Sequence, residues 1–214
     1  MKQKTGVLGG TFDPVHLSHL KLAEVAQSEF NLDRVLFVPA AVPPHKVEAQ
    51  VTSFEHRVRM VEIACEAHAT FECSTIEGTL RKPSYTVDTL KALLAEMGQE
   101  NALYFIIGSD AFLDILTWKS YREILRLTPL LVSRRKGVDE TRFSELAAIL
   151  AYNSSNRSVW VGKKGSKNIC FLKQTPAYLS STLVKKYIGD EKMIKDIIPK
   201  KVAEYIRVNK IYPL

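Results

Sequence analysis

The chain alternates short apolar runs with longer segments whose apolar residues recur every three or four positions. Many of the short runs are rich in β-branched and aromatic side chains, which is typical of buried strands. Such strands are predicted at 5–8, 34–39, 70–76, 103–108, 129–133 and 169–173. The run LYFIIG at 103–108 is apolar throughout, which indicates a central strand covered on both faces.

The segments between these runs carry helical periodicity and helix-capping signals. Helices are predicted at 17–30, from a Thr52-x-x-Glu55 capping box to about His68, from Pro83-Ser84 to Gly98, as two short helices within 109–125, at about 143–152, and as short pieces after Ser180 that Gly189 and Pro199 divide. The polar, lysine-rich stretch 153–167 is predicted to be a loop.

This alternation of strands and helices predicts the architecture. Strands joined by helices form right-handed βαβ units around a mostly parallel sheet. We therefore expect an α/β fold that is Rossmann-like and doubly wound, with helices on both faces of the sheet. Residues 1–214 are expected to form one domain, with a small helical part at about 180–214 packed on the same core.

Composition narrows the class of protein without choosing a function. Apolar residues make up 46% of the chain and charged residues 25%, as in globular domains. No apolar run approaches the roughly 20 residues that span a bilayer, and the opening MKQKTGVLGG lacks the apolar core of a secretory signal. We expect a cytoplasmic protein without membrane attachment. The net charge of +7 favours anionic partners, among them nucleotides, polyphosphates and nucleic acid.

The cysteines do not indicate redox or zinc chemistry. Cys65, Cys73 and Cys170 are widely spaced and include no C-x-x-C pair. We expect reduced and mostly buried thiols, with Cys65 on the core-facing stripe of its helix.

The stretch GGTFDPVHLSHL at 9–20 is the first candidate for chemistry. Gly9 and Gly10 end a predicted strand, and open α/β sheets bind ligands beyond the carboxyl ends of their strands. Glycine lets the backbone approach a ligand closely, and the following helix start favours phosphate. His16 and His19 lie three residues apart and share a helix face. Two alternatives are open. The histidines can be packing or surface residues, which is the commoner case for an isolated H-x-x-H pattern. They can also belong to a zinc site, although the sequence shows no organised set of further ligands for one.

The stretch SSTLVK at 180–185 is the second candidate. Ser180, Ser181 and Thr182 can cap a helix and hydrogen-bond phosphate oxygens, and Lys185 lies about one turn further on the same face. Simple helix capping is the alternative for so short a pattern. Together with the first stretch, the pattern predicts one phosphate-binding site.

Both stretches resemble the two signatures of the nucleotidyltransferase superfamily related to class I aminoacyl-tRNA synthetases. The resemblance is to G-x-F-x-P-x-H-x-G-H, with Ser18 at the second glycine, and to I-S-S-T-x-x-R, with Lys185 at the arginine. VPPHK at 42–46, PSYTVDTL at 83–90 and IIGSDAFLDILTWKSYREIL at 106–125 are similar to bacterial nicotinate-nucleotide adenylyltransferases. The similarity runs over nearly the whole chain.

This resemblance implies a reaction and a set of site residues. ATP and nicotinate mononucleotide would give nicotinate adenine dinucleotide and pyrophosphate, a step of NAD synthesis, with Mg²⁺ bound mainly through the ATP phosphates and no dedicated metal ligands. The implied catalytic residues are His16, His19 and Lys185. The implied ATP-binding residues are Gly9, Gly10, Thr11, Gly108, Asp110, Ser181 and Thr182. The acceptor-binding candidates are Lys46, Tyr85, Thr86, Trp118, Tyr121 and Arg134.

Several of these residues have a simpler interpretation. Asp110 can cap the next helix, Trp118 can be a core residue, and Lys46 can be an exposed loop lysine. The polar neighbours of Trp118 favour partial exposure of its ring, which would allow stacking on a pyridine.

Two other functions stay open. The same chemistry can use another acceptor, such as nicotinamide mononucleotide. A noncatalytic nucleotide- or RNA-binding module would keep the fold without turnover, and Lys163, Lys164 and Lys167 are its best nucleic-acid candidates. No aromatic-rich basic stripe accompanies these lysines, so we expect no stable nucleic-acid partner. The oligomeric state is open, a homo-oligomer included.

Overall fold

The computed structural model describes residues 2–44, 51–98, 100–134, 138–156, 158–163, 165–174, 181–188 and 190–212. Eight strands in these ranges form one sheet. They are β1 (Gln3–Gly10), β2 (Arg34–Pro39), β3 (Phe71–Cys73), β4 (Asn101–Gly108), β5 (Leu130–Ser133), β6 (Asn153–Asn156), β7 (Val159–Val161) and β8 (Ile169–Phe171).

The strand order is β3-β2-β1-β4-β5-β8-β7-β6. The six strands from β3 to β8 in this order pair in parallel, while β7 and β6 continue the sheet antiparallel. The chain builds outward from β1 to β3 and then crosses to β4 on the other side of β1. Such a reversal of strand order opens a crevice at the carboxyl ends of the two central strands.

Helices cover both faces of this sheet. They are α1 (Leu17–Phe30), α2 (Phe54–Cys65), α3 (Thr86–Met97), α4 (Ser109–Leu113), α5 (Tyr121–Leu127), α6 (Glu140–Leu150), α7 (Ser181–Lys186), α8 (Glu191–Ile194) and α9 (Lys200–Val208). Leu8 and Ile106 pack on the face covered by α1, α2 and α9. Val7, Phe105 and Ile107 point to the opposite face, under α3 to α6, because successive strand residues alternate sides. The predicted fold class is therefore confirmed.

Three boundaries differ from the prediction. Helix α2 is capped by Ser53, whose Oγ accepts the His56 N–H, rather than by the predicted Thr52, and it ends at Cys65. The strand predicted at 70–76 ends at Cys73 and is followed by a 3₁₀ turn at Ile76–Gly78. Local competition between cap residues and between β and turn conformations decides such ends.

The prediction of a loop at 153–167 is wrong, because β6 and β7 lie in it. The reason is Trp160, which is buried and packs its ring against Phe112, Phe143 and Phe171. Burial of one large aromatic side chain outweighs the polar character of its neighbours.

The cysteine expectations are confirmed in the described residues. All three thiols are free, Cys65 is buried, and Cys73 and Cys170 are half-buried. Burial raises the pKa of Cys65 and of Cys73 to about 12, so both thiols stay protonated and unreactive at neutral pH.

Candidate active site

The carboxyl ends of β1, β4 and β5 form the edge at which the site is built. Gly9 and Gly10 end β1, and Gly108 ends β4 opposite Ser133 of β5. Gly108 also precedes α4, whose first turn carries the exposed Asp110. Most of the predicted ATP-binding residues thus follow neighbouring parallel strands at the open crevice.

Gly9 and Gly10 differ in the space that a side chain would find at each position. A Cβ at Gly10 would lie 3.2 Å from ring carbons of Phe12, which is buried and has a left-handed φ of 49°. A Cβ at Gly9 would meet only Phe105, at an ordinary 3.8 Å. The fold therefore requires a small residue at position 10 but tolerates a side chain at position 9. Because Gly9 is exposed, its small size points to a ligand rather than to packing.

His16 and His19 form one unit at the start of α1. His16 is the buried N-cap, and its backbone N–H donates to Nδ1 of His19 at 3.2 Å. The centroids of the two stacked rings lie 3.6 Å apart, and the rings of His19 and Phe12 pack edge to face with their centroids 5.0 Å apart. A neutral imidazole that accepts at Nδ1 carries its proton on Nε2. The fold therefore presets His19 to donate a hydrogen bond from Nε2.

The second stretch lies against the first. Lys185 of α7 places its Nζ 2.5 Å from Oδ2 of Asp13, and its side chain is about one-third exposed. Tyr212 donates from Oη to the other carboxylate oxygen of Asp13 at 2.6 Å. Although burial acts to raise it, hydrogen bonds from Lys185, Thr52 and Tyr212 hold the pKa of Asp13 below its usual range. The site thus contains a buried carboxylate that is ionised and bound to the Lys185 ammonium.

Arg57 is a residue of this region that the sequence reasoning missed. Its guanidinium is buried and donates to three backbone carbonyls, of Thr52 at 2.8 Å, of Thr11 at 2.9 Å and of Ala41 at 3.1 Å. Burial lowers the pKa of Arg57, and the charge of Asp13 opposes that shift. Arg57 therefore joins the glycine bend, residues 9–12, to the loop after β2. A signal was present, since Arg57 lies three residues after Phe54 on the apolar stripe of α2.

The predicted acceptor residues Tyr85, Thr86 and Trp118 lie near one another, on the face of the sheet that α3 to α6 cover. Thr86 starts α3, and Lys119 Nζ lies 4.4 Å above the Tyr85 ring and 2.8 Å from Asp88 in the first turn of α3. Trp118 is half-buried, as its polar neighbours predict, and packs edge-on to Phe105 with 6.2 Å between ring centroids. Because Phe105 also faces Gly9, the acceptor candidates adjoin the glycine bend.

The remaining candidates are placed as follows. Tyr121 starts α5 directly after this cluster, and Ser181 starts α7 with Thr182 next to it. Arg134 follows β5, where it bonds Glu140 at 3.0 Å and stacks over Phe171 at 4.3 Å, so its acceptor role stays a prediction. Lys46 lies outside the described residues.

The described ranges contain no group of three His, Cys, Asp or Glu side chains arranged to hold a metal ion. No helix within them has both the length and the apolar character needed to cross a bilayer.

This chain is similar to known proteins over nearly its whole length. A family profile described as cytidylyltransferase-like matches residues 7–187. A probable nicotinate-nucleotide adenylyltransferase of Thermoanaerobacter sp. (strain X514) is 38% identical over 98% of this chain and 94% of its own length. The one of Geobacter sulfurreducens is 37% identical over 98% of both chains.

A solved structure shares the fold at lower identity. The Plasmodium falciparum nicotinic acid mononucleotide adenylyltransferase complexed with NaAD superposes with a TM-score of 0.72 and 19% identity, over 98% of this chain and 97% of that chain. At that identity the likeness concerns the fold alone.

We predict that Arg57→Met destabilises the protein by about 3–5 kcal/mol, because it leaves buried carbonyl oxygens without a donor. Urea unfolding measures the change. Arg59→Met is the matched control, since Arg59 lies two residues along the same helix and pairs with Glu62 at the surface. Equal unfolding midpoints of the two variants would contradict the structural role of Arg57.

Proposed function

This chain belongs to the nicotinate-nucleotide adenylyltransferases of the cytidylyltransferase-like family, and we propose that it joins the AMP moiety of ATP to nicotinate mononucleotide, giving nicotinate adenine dinucleotide and pyrophosphate. The observation that carries the proposal is the contact of Lys185 with Asp13, which follows Phe12, whose ring packs against His19. It joins the two phosphate-binding stretches, which are 172 residues apart at this pair, in one site.

The chemistry needs positioning more than acid–base catalysis. The attacking phosphate oxygen of nicotinate mononucleotide is already anionic at neutral pH, so no general base is required. Catalysis then consists of aligning two anions and stabilising the charge that develops at the α-phosphate. His19 Nε2–H supplies a fixed donor for that charge, with His16 holding its ring.

Lys185, with Ser181 and Thr182 one turn earlier, is assigned to the β- and γ-phosphates and the departing pyrophosphate. An ammonium has three donors, and the contact with Asp13 uses one of them. Gly9, Gly10 and Thr11 lie where the triphosphate approaches the backbone. Gly108 ends β4 and Asp110 follows in the first turn of α4, where a carboxylate can accept hydrogen bonds from ribose hydroxyls.

Mg²⁺ fits this arrangement as an ion held through the ATP phosphates and water. Asp13 is a buried carboxylate of the site, and its two oxygens are occupied by Lys185 and Tyr212. When bound, the ion would supply charge neutralisation on the phosphates. The residues of this chain then position the triphosphate through His19 and Lys185.

The acceptor ring is assigned to the space beside Tyr85, Thr86, Trp118 and Tyr121. Tyr85 gives α3 no side-chain cap, so the positive end of that helix is available to the nicotinate carboxylate. Asp88 would oppose this charge, but Lys119 pairs with it at 2.8 Å. Selectivity for nicotinate over nicotinamide would then come from the positive end of α3.

We also propose that residues 1–214 form one nucleotidyltransferase domain. Val184, Ile198 and Val202 pack in the same apolar cluster as Leu20 and Val61, which supports this organisation. A cytoplasmic location and the lack of a nucleic-acid partner stay predictions from the sequence.

Pyrophosphate release from ATP tests the function with three acceptors. Nicotinate mononucleotide is expected to react at least about tenfold faster than nicotinamide mononucleotide, since only the former carries the carboxylate that the start of α3 favours. Phosphopantetheine should not react. Equal rates with the two mononucleotides would reject the selectivity, and silence with all three would favour a noncatalytic nucleotide-binding module.

The role of His19 as a hydrogen-bond donor is tested by replacing it with Asn and with Gln, whose side-chain amides differ in reach. The amide of His19→Asn reaches the position of Nδ1 and that of His19→Gln the position of Nε2. We expect His19→Asn to lower kcat by roughly 10²–10³ through loss of the Nε2 donor, and His19→Gln to retain much more activity. Near-normal turnover of His19→Asn would assign the ring to packing.

Gly9 and Gly10 are tested by alanine substitutions. Gly9→Ala should keep the wild-type Tm, because its Cβ meets Phe105 at 3.8 Å, but raise the KM for ATP about tenfold by blocking the approach of phosphate. Gly10→Ala should lower Tm, because its Cβ meets Phe12 at 3.2 Å. An unchanged KM for ATP in Gly9→Ala would remove Gly9 from the site.

A further inference from the structure

Asp13 connects three distant parts of the chain beneath the glycine bend. Its carboxylate is only 2% exposed, and both oxygens are occupied, Oδ2 by Lys185 and Oδ1 by the Tyr212 hydroxyl. A buried carboxylate with its oxygens occupied has one orientation, and that orientation fixes where the Lys185 ammonium can bind.

Tyr212 contacts both members of this ion pair. Its Oη donates to Asp13 at 2.6 Å, and the Lys185 ammonium lies 5.0 Å from the centroid of its ring. Burial, together with the hydrogen bond to Asp13, raises the pKa of Tyr212, so the hydroxyl stays protonated and remains a donor. The ring is 8% exposed. Tyr212 therefore forms one wall of the place where the ammonium lies.

Residues 197–212, the segment that carries Tyr212, pack against the helices next to the site. Val202 and Ile206 of α9 are buried in the apolar cluster with α1 and α2. The carbonyl of Ile197 accepts the N–H of Leu17, the first residue of α1, at 2.9 Å. The segment therefore borders the histidine helix at one point and Asp13 at another.

A lysine at position 185 needs such support. Its ammonium is a point charge on a flexible four-carbon stem, without the rigid planar fork of a guanidinium. The neighbours of Lys185 must then supply the orientation that the side chain itself lacks. In this structure those neighbours are the Asp13 carboxylate and the Tyr212 ring.

We propose that Tyr212 is a positioning residue for ATP: it orients Asp13, and through Asp13 and its ring it holds the Lys185 ammonium where the β- and γ-phosphates bind. The inference rests on the proposed function. Tyr212 lies beyond residues 7–187, which the family profile matches, so the segment after α9 adds a part of the site outside the matched region. Tyr212 does not itself touch the reacting atoms.

Tyr212→Phe is the first test, because it keeps the ring and removes only the hydroxyl. We expect kcat/KM for ATP to fall about tenfold, mostly through KM for ATP, with KM for nicotinate mononucleotide unchanged. The matched control is Tyr205→Phe, which removes the hydroxyl of a half-buried tyrosine of α9 that is bonded to His56 at 2.9 Å instead of to Asp13. The control should keep wild-type kinetics. All assays run below the lower Tm of the two variants.

A double-mutant cycle tests the route through Lys185. If Tyr212 acts on ATP through this lysine, Tyr212→Phe adds no further loss of kcat/KM in a Lys185→Ala background. The proposal would be overturned if the double variant lost kcat/KM by the product of the two single losses. It would also be overturned if Tyr212→Phe had the same ATP kinetics as Tyr205→Phe. A wild-type protein inactive with all acceptors would instead reject the proposed function, so the two failures are distinguishable.

Discussion

The pairing of one buried carboxylate governs how this site is assembled. Asp13 lies directly after the glycine bend, and a charge so deeply buried is tolerated only when it is paired and hydrogen-bonded. Its partners Lys185 and Tyr212 lie 172 and 199 residues further along the chain. The glycine bend therefore has a stable environment only after α7 and the segment following α9 have docked on it. Docking of these segments therefore also brings together residues of the proposed phosphate site.

The central sheet brings the proposed phosphate and acceptor sites side by side. Phe105 of β4 lies next to Gly9 of the proposed phosphate site and packs on Trp118 of the proposed acceptor site. Arg57 ties the backbone of Thr11 to that of Ala41, so the glycine bend and the loop after β2 keep a fixed relation. This rigidity suits a reaction between two anions, in which alignment and charge stabilisation supply most of the catalysis.

The accuracy of the sequence predictions follows the range of the interactions involved. The parallel strands and helices α1 and α3 were predicted because apolar periodicity and glycine stops are local signals, such as Gly98 after α3 with φ of 68°. The β6–β7 pair was mispredicted because its stability comes from Trp160 among distant aromatic rings. Arg57 was overlooked because its carbonyl partners lie up to 46 residues away.

The sequence by itself determined the alternation of elements, the α/β class and, through two short stretches that resemble a known family, the chemistry to expect. Tertiary structure alone decided that Lys185 binds Asp13 and that Tyr212 hydrogen-bonds the same carboxylate. The physical reason is that helix and strand patterns depend on residues a few positions apart. A buried charge, in contrast, takes its partners from whatever the packed core brings within hydrogen-bond distance.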